Sequence, residues 1–179
     1  MKGTSKGSNT GTIKVVLIGN TTPSTNPKGK TIRTALTNIY TGGQNAEGNV
    51  ITRSIGGRSI EVSLQEIGGQ ETQTTKLNQQ NYTDTDAFLL TFGFGSRPSF
   101  DSIKTWFNEA KRSAPNATFV LLGVNESSKA TGNAVTTQDA QQLAKELHIN
   151  AFAQCSLDNP QSVQKAIDQS VTSALDSQG

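Results

Sequence analysis

Apolar residues fall in six short runs separated by polar stretches, and the spacing inside and between the runs alternates between two periods. Ile13 to Ile18 is an almost unbroken apolar run and predicts a buried strand. Ile32, Leu36, Ile39 and Tyr40 then recur at helical spacing, predicting a helix from about Thr31 to Thr41, before Gly42-Gly43. Val50 to Ile55 and Ser59 to Leu64 flank Gly56-Gly57, and Ile60, Val62 and Leu64 alternate with polar partners. Two strands around a Gly-Gly turn predict an antiparallel hairpin with one solvated face.

The back half repeats a strand–helix alternation. Ala87 to Phe92 and Thr118 to Leu122 predict buried strands, and Ala151 to Cys155 a shorter one. Between them, Phe100, Ile103, Phe107 and Ala110 mark one face of a helix over Pro98 to Ser113. Ala140, Leu143, Ala144 and Leu147 mark a second helix, which Thr136 caps with Asp139 three residues on. Asn159 followed by Pro160 opens a last helix with Val163, Ala166, Ile167, Val171, Ala174 and Leu175 as its stripe. Alternation of this kind demands crossover helices on both faces of a mostly parallel sheet. The fold class is therefore α/β: a mixed, mostly parallel six-stranded sheet with one antiparallel hairpin edge. Residues 1–12 read as a disordered tail, 13–175 as one domain and 176–179 as a second tail. Gln65 to Tyr82 and Val124 to Ala134 read as loops. Ligands of such sheets bind beyond the carboxyl ends of the strands. Gly19 to Thr31, Glu66 to Gln70, Gly123 to Ser128 and Cys155 to Leu157 are expected to converge there.

Composition adds exclusions. Of 179 residues, 17% are charged and the net charge is +2, too little to argue for nucleic acid or an anionic membrane. The single cysteine, Cys155, rules out an internal disulfide and a cysteine-rich metal site. No apolar run approaches the ~18 residues of a membrane span, and no signal-peptide core opens the chain. An intracellular, cytoplasmic monomer is expected; the final residues carry no cysteine to prenylate, so either the natural chain extends beyond residue 179 or no lipid anchor is encoded at this end. Cys155 and Trp106 read as packing residues, and His148, the only histidine, as a helix-end cap.

The chemistry gathers in the first crossover. Strand, loop, Gly29-Lys30-Thr31 and helix form the layout of a phosphate-binding loop, in which backbone N–H groups and the helix N-terminus hold phosphate oxygens. The motif G-x-x-x-x-G-K-[ST] has four residues between its glycines. Here Gly19 and Gly29 have nine, and Pro23 and Pro27, which lack an N–H, lie among them. The GKT half is intact and the cradle before it is rebuilt.

This order, with a GKT loop first and Gly68-Gly69-Gln70-Glu71 after the hairpin, resembles the small GTPases of the Ras superfamily, most of all the Rab branch, with some Rho-like features. Asp84 to Leu90, Ser99 to Trp106 and Val135 to Ala144 carry the most specific likeness. The resemblance implies a P-loop G domain binding GTP or GDP with Mg²⁺. It places Gly29, Lys30, Thr31 and Gly69 on the phosphates and Thr31 and Glu66 at Mg²⁺. Gln70 would orient the attacking water. Base recognition would fall on Asn125, Ser128, Ser156 and Leu157.

Each working motif departs from that pattern somewhere. Glu66 stands where the family has Asp, one methylene longer, against the tight octahedral geometry of Mg²⁺. Residues 42–49 hold no clear counterpart of the first-switch threonine. Asn125-Glu126-Ser127-Ser128 replaces NKxD, so Ser128 stands where a carboxylate would take two hydrogen bonds from guanine. Ser156-Leu157-Asp158 keeps one residue of SAK. The expectation is a degenerate small GTPase with weakened or lost nucleotide binding and hydrolysis, acting as a protein-interaction module. Effectors or regulators would dock on segments 44–55 and 68–82. The alternative is a working GTP switch with slow hydrolysis, in signalling or vesicle traffic.

Overall fold

The computed structural model describes residues 10–19, 36, 38–40, 50–68, 85–95, 97–125, 135–149 and 151–178. Six strands form one sheet: β1 (Thr10–Gly19), β2 (Val50–Ile55), β3 (Arg58–Gly68), β4 (Ala87–Gly93), β5 (Thr118–Asn125) and β6 (Ala151–Ser156). Their spatial order is β2-β3-β1-β4-β5-β6. Only β2 and β3 run antiparallel, as expected of the hairpin. Gly56 and Gly57 make its two-residue turn with φ of 60° and 80°, a left-handed pair that glycine enters without strain.

The helices are α1 (Arg97–Asp101), α2 (Ile103–Ser113), α3 (Thr137–Leu147) and α4 (Pro160–Gln178), and Leu36 and residues 38–40 are helical. The single helix expected over Pro98 to Ser113 is thus two, broken at Ser102. In α3 the capping box is complete: the Asp139 N–H donates to the Thr136 hydroxyl at 3.0 Å and the Thr136 N–H to the Asp139 carboxylate at 3.1 Å. That geometry, with Arg97 beside it, holds the Asp139 carboxyl below its usual range. The helix ends on His148, left-handed at φ 57°. The N–H groups of His148 and Ile149 satisfy the Lys145 and Ala144 carbonyls, so the backbone of His148 performs the expected capping.

Each face of the sheet has its own core. Val15, Leu17, Ile60, Val62, Leu64 and Leu89 pack under Leu36, Tyr40 and the α4 residues Val163, Ile167 and Val171. Val16, Ile18, Phe88, Leu90 and Phe92 pack under α1, α2 and α3. Alternation along β4, buried at all seven positions, sends Phe88, Leu90 and Phe92 to one side and Ala87 and Leu89 to the other. All seven phenylalanines and the half-buried Trp106 lie with the second core, whose rings meet edge to face or stacked about 5 Å apart. Among the described residues the first core holds one aromatic, Tyr40.

Three boundaries differ from the sequence reading. Strand β1 starts at Thr10, inside the stretch expected to be a tail, because Thr10, Gly11 and Thr12 find backbone partners in Ser59, Ile60 and Glu61. Strand β3 runs to Gly68, into the expected loop, because β1 continues to offer partners through Gly19. Helix α4 continues to Gln178 through the expected C-terminal tail, with no proline or glycine before Gly179 to stop it. Residues 1–9 lie outside the described residues.

Candidate functional site

Five strands end at the same edge of the sheet, β1 at Gly19, β3 at Gly68, β4 at Gly93, β5 at Asn125 and β6 at Ser156, all running parallel there. This is the edge on which the candidate loops were expected to converge. Gly19 pairs with Gly68, so the starting points of the phosphate loop and of the Gly68-Gly69-Gln70 segment are neighbours. Gly19 is also tightly enclosed, and by backbone. A Cβ added there would lie 2.6 Å from the Thr91 carbonyl oxygen and 2.9 Å from its hydroxyl, which itself donates to the Ile18 carbonyl. The chain therefore leaves β1 on a glycine, and the extra loop residues all follow it. Glu66 sits within β3, across from Leu17, not in a loop beyond the strand. Gly29, Lys30, Thr31, Gly69, Gln70 and Ser128 lie outside the described residues, as do residues 44–49 and 69–82 of the switch-like segments 44–55 and 68–82.

At the other end of the edge, the structure brings two base-site candidates together: Asn125 pairs directly with Ser156. The Leu157 N–H donates to the Asn125 carbonyl at 2.9 Å. The Ser156 N–H donates to the Ser162 hydroxyl at 3.0 Å, and that hydroxyl donates to the Asn159 carbonyl at 2.7 Å. The Asn159 N–H closes the turn on the Ser156 carbonyl at 3.0 Å, and the Asn159 side chain accepts from the Ser162 N–H at 3.3 Å, the expected cap of α4. Ser162 is the residue that sequence reasoning missed. Its position three residues after the capping Asn159 was the available signal.

Phe94 fixes the middle of the edge. Its N–H donates to the Val124 carbonyl and its own carbonyl accepts from the Val135 N–H, both at 3.0 Å, so the ends of β4 and β5 and the entrance to α3 are joined. Its ring and that of Phe92 lie over Gly123, where a Cβ would come within 2.6 and 2.8 Å of them. Cys155, one residue before Ser156, is buried, and burial pushes its thiol up to about 12, so the packing role expected of it stands. No group of three or more His, Cys, Asp or Glu side chains suited to a metal occurs among the described residues, and no described helix is long and apolar enough to cross a membrane.

The sheet, six-stranded and mostly parallel with one antiparallel pair, agrees with the comparisons with known proteins. The family model "Ras family" matches residues 14–176. A relative from Drosophila melanogaster, "Ras-like GTP-binding protein RhoL", is 28% identical over 117 residues, which is 64% of this chain and 61% of the relative. The match thus spans about three-fifths of that relative's length. The chain belongs to the Ras family of small GTPases.

Proposed function

We propose that this Ras-family protein has weakened or lost guanine-nucleotide binding and hydrolysis and works as a protein-interaction module. One observation carries the reading. At the strand edge where the resemblance puts base recognition, two backbone donors are taken up by the fold: the Leu157 N–H by the Asn125 carbonyl and the Ser156 N–H by the Ser162 hydroxyl. The sequence changes beside them point the same way. Glu126 and Ser128 stand in place of the family's Lys and Asp, and a site without its specifying carboxylate loses most of its discrimination. These residues do not fit guanine as the family's do, and no catalytic step is assigned through the nucleotide or Mg²⁺. Effector or regulatory proteins would dock on segments 44–55 and 68–82, with the chain acting as a monomer inside the cell.

A second reading, a GTP switch with slow hydrolysis, draws on the intact Gly29-Lys30-Thr31 and Gly69-Gln70 and on Gly19 closing β1. In it Lys30 and the loop amides hold phosphates, Thr31 and Glu66 serve Mg²⁺, and Gln70 orients water. One experiment separates the two. Protein purified without added nucleotide is denatured, the supernatant is run on anion-exchange HPLC, and the folded protein is titrated with labelled GDP and GTP in Mg²⁺. The module reading expects an empty protein that binds neither nucleotide below millimolar concentration. About one guanine nucleotide per chain, lost in Lys30→Ala, refutes it and establishes the switch.

A further inference from the structure

Strand β2 is the last strand on its side of the sheet, bonded to β3 alone among the described elements. Val50, Thr52 and Ser54 on its outer face are exposed. Its inner face carries Ile51, Arg53 and Ile55, so an arginine stands between two isoleucines that pack on the core. Arg53 is the residue out of pattern, and its partner lies 115 positions on, in the middle of α4. Arg53 Nη2 donates to Asp168 Oδ2 at 2.8 Å and Arg53 Nε to Oδ1 at 3.2 Å. The Tyr40 hydroxyl donates to the same Oδ1 at 2.5 Å, and the guanidinium lies 5.1 Å above the Tyr40 ring. One carboxylate thus holds two elements, the edge strand and the helix that ends the first crossover.

The geometry is suited to a positioning role. The fork of the guanidinium matches both carboxylate oxygens, which a lysine cannot reproduce. The pair is about three-quarters buried, 26% and 25% exposed, so solvent screens it less than a surface pair while neither charge is stranded in a dry core. A charge directed inward from an edge strand also opposes pairing of that edge with a second sheet.

We infer that Tyr40, Arg53 and Asp168 form a latch that fixes β2 to α4 and to the first crossover helix without help from bound nucleotide. The inference rests on the module reading, since β2 is the described part of the docking segment 44–55. In a nucleotide-driven switch the ligand orders this region; here a phenol, a guanidinium and a carboxylate do so. Asp168, held by Arg53 and Tyr40, is the positioning residue.

Hydrogen exchange followed by mass spectrometry on the full chain tests this. In Asp168→Asn, amides of β2 and of residues 38–40 should exchange at least tenfold faster, while β4 and β5 keep their protection. Arg53→Lys should give a smaller, local effect, and the exchanged pair Arg53→Asp with Asp168→Arg should restore much of the protection. Unchanged β2 exchange in a folded Asp168→Asn variant overturns the latch. Equal acceleration in every strand also overturns it, because that is ordinary destabilisation. If Asp168→Asn does not fold, Arg53→Lys carries the same two outcomes. In the unaltered protein, millimolar GTP with Mg²⁺ should leave β2 exchange as it was, and slowing of β2 by GTP overturns independence from nucleotide. The HPLC assay decides whether nucleotide binds, and the Asp168 and Arg53 variants decide the latch, so the two ideas fail separately.

Discussion

Replacing Gly19 by alanine sets two effects of opposite sign against each other, and distances decide between them. Alanine reduces the freedom of the unfolded chain and by that alone stabilises by about 0.4–1 kcal/mol. The new methyl group, however, would sit 2.6 Å from the Thr91 carbonyl oxygen, where ordinary contact begins at 3.4 Å. Relief requires a shift of several tenths of an ångström between β1 and β4, two strands bonded to each other in the middle of the sheet. The obstacle is backbone, so no rotamer change removes it. Overpacking of this kind costs about 1–3 kcal/mol, and the immobile neighbour places Gly19 toward the upper end. The net loss is about 2 kcal/mol, or a fall in Tm of about 4–8 °C for a chain of this size. Gly95 is the internal control: it is exposed, and a Cβ there meets nothing within 4 Å. Gly95→Ala should be neutral or raise Tm by about 1–3 °C. Urea unfolding and thermal melts of both variants measure this directly. A Gly19→Ala protein as stable as the parent, or a Gly95→Ala protein that loses as much, would refute the packing argument.

Tyr40 links stability to alkaline pH. Burial, then the Asp168 carboxylate, raises its phenol far above the ordinary value of 10.0. A group whose folded pKa lies above its unfolded value stabilises fully below the unfolded value and less as pH rises past it. Unfolding free energy should therefore decline from about pH 10 upward, and Tyr40→Phe should flatten that decline in urea titrations across the range; an unchanged slope counts against the assignment. Cys155, with its thiol pushed up to about 12 and its side chain buried, should resist alkylation at pH 8 in the native protein and react fully in denaturant. Rapid native labelling, read by intact mass, would show that the strand end opens.

The alternation of apolar runs made the sheet legible, because strands buried on both faces and helices with one apolar stripe leave different periods in the sequence. The Gly56-Gly57 turn and the Thr136–Asp139 cap were legible for a similar reason: each is a local pattern whose chemistry is complete within four residues. Strand ends were less so. Thr10 to Thr12 and Gln65 to Gly68, where Ile67 is the one apolar side chain, join the sheet because a neighbouring strand offers backbone partners, which no local pattern records. In the candidate site, Asn125 and Ser156 could be paired from motif order. The use of Ser162 to occupy the Ser156 N–H, and the pairing of Arg53 with a carboxylate 115 residues away, depend on tertiary geometry.

The division of aromatic residues between the two cores has an optical consequence. Trp106, the only tryptophan, sits with all seven phenylalanines on one side of the sheet. Emission excited at the indole band therefore reports the packing of α1, α2 and α3 and should be silent to a local rearrangement of Tyr40, Arg53 and α4 on the other side. The sheet acts as a partition between two chromophores. Tyrosine emission comes from Tyr40 and Tyr82, and its difference from that of a Tyr40→Phe variant isolates Tyr40, quenched by the Asp168 carboxylate, as a separate channel for the opposite side.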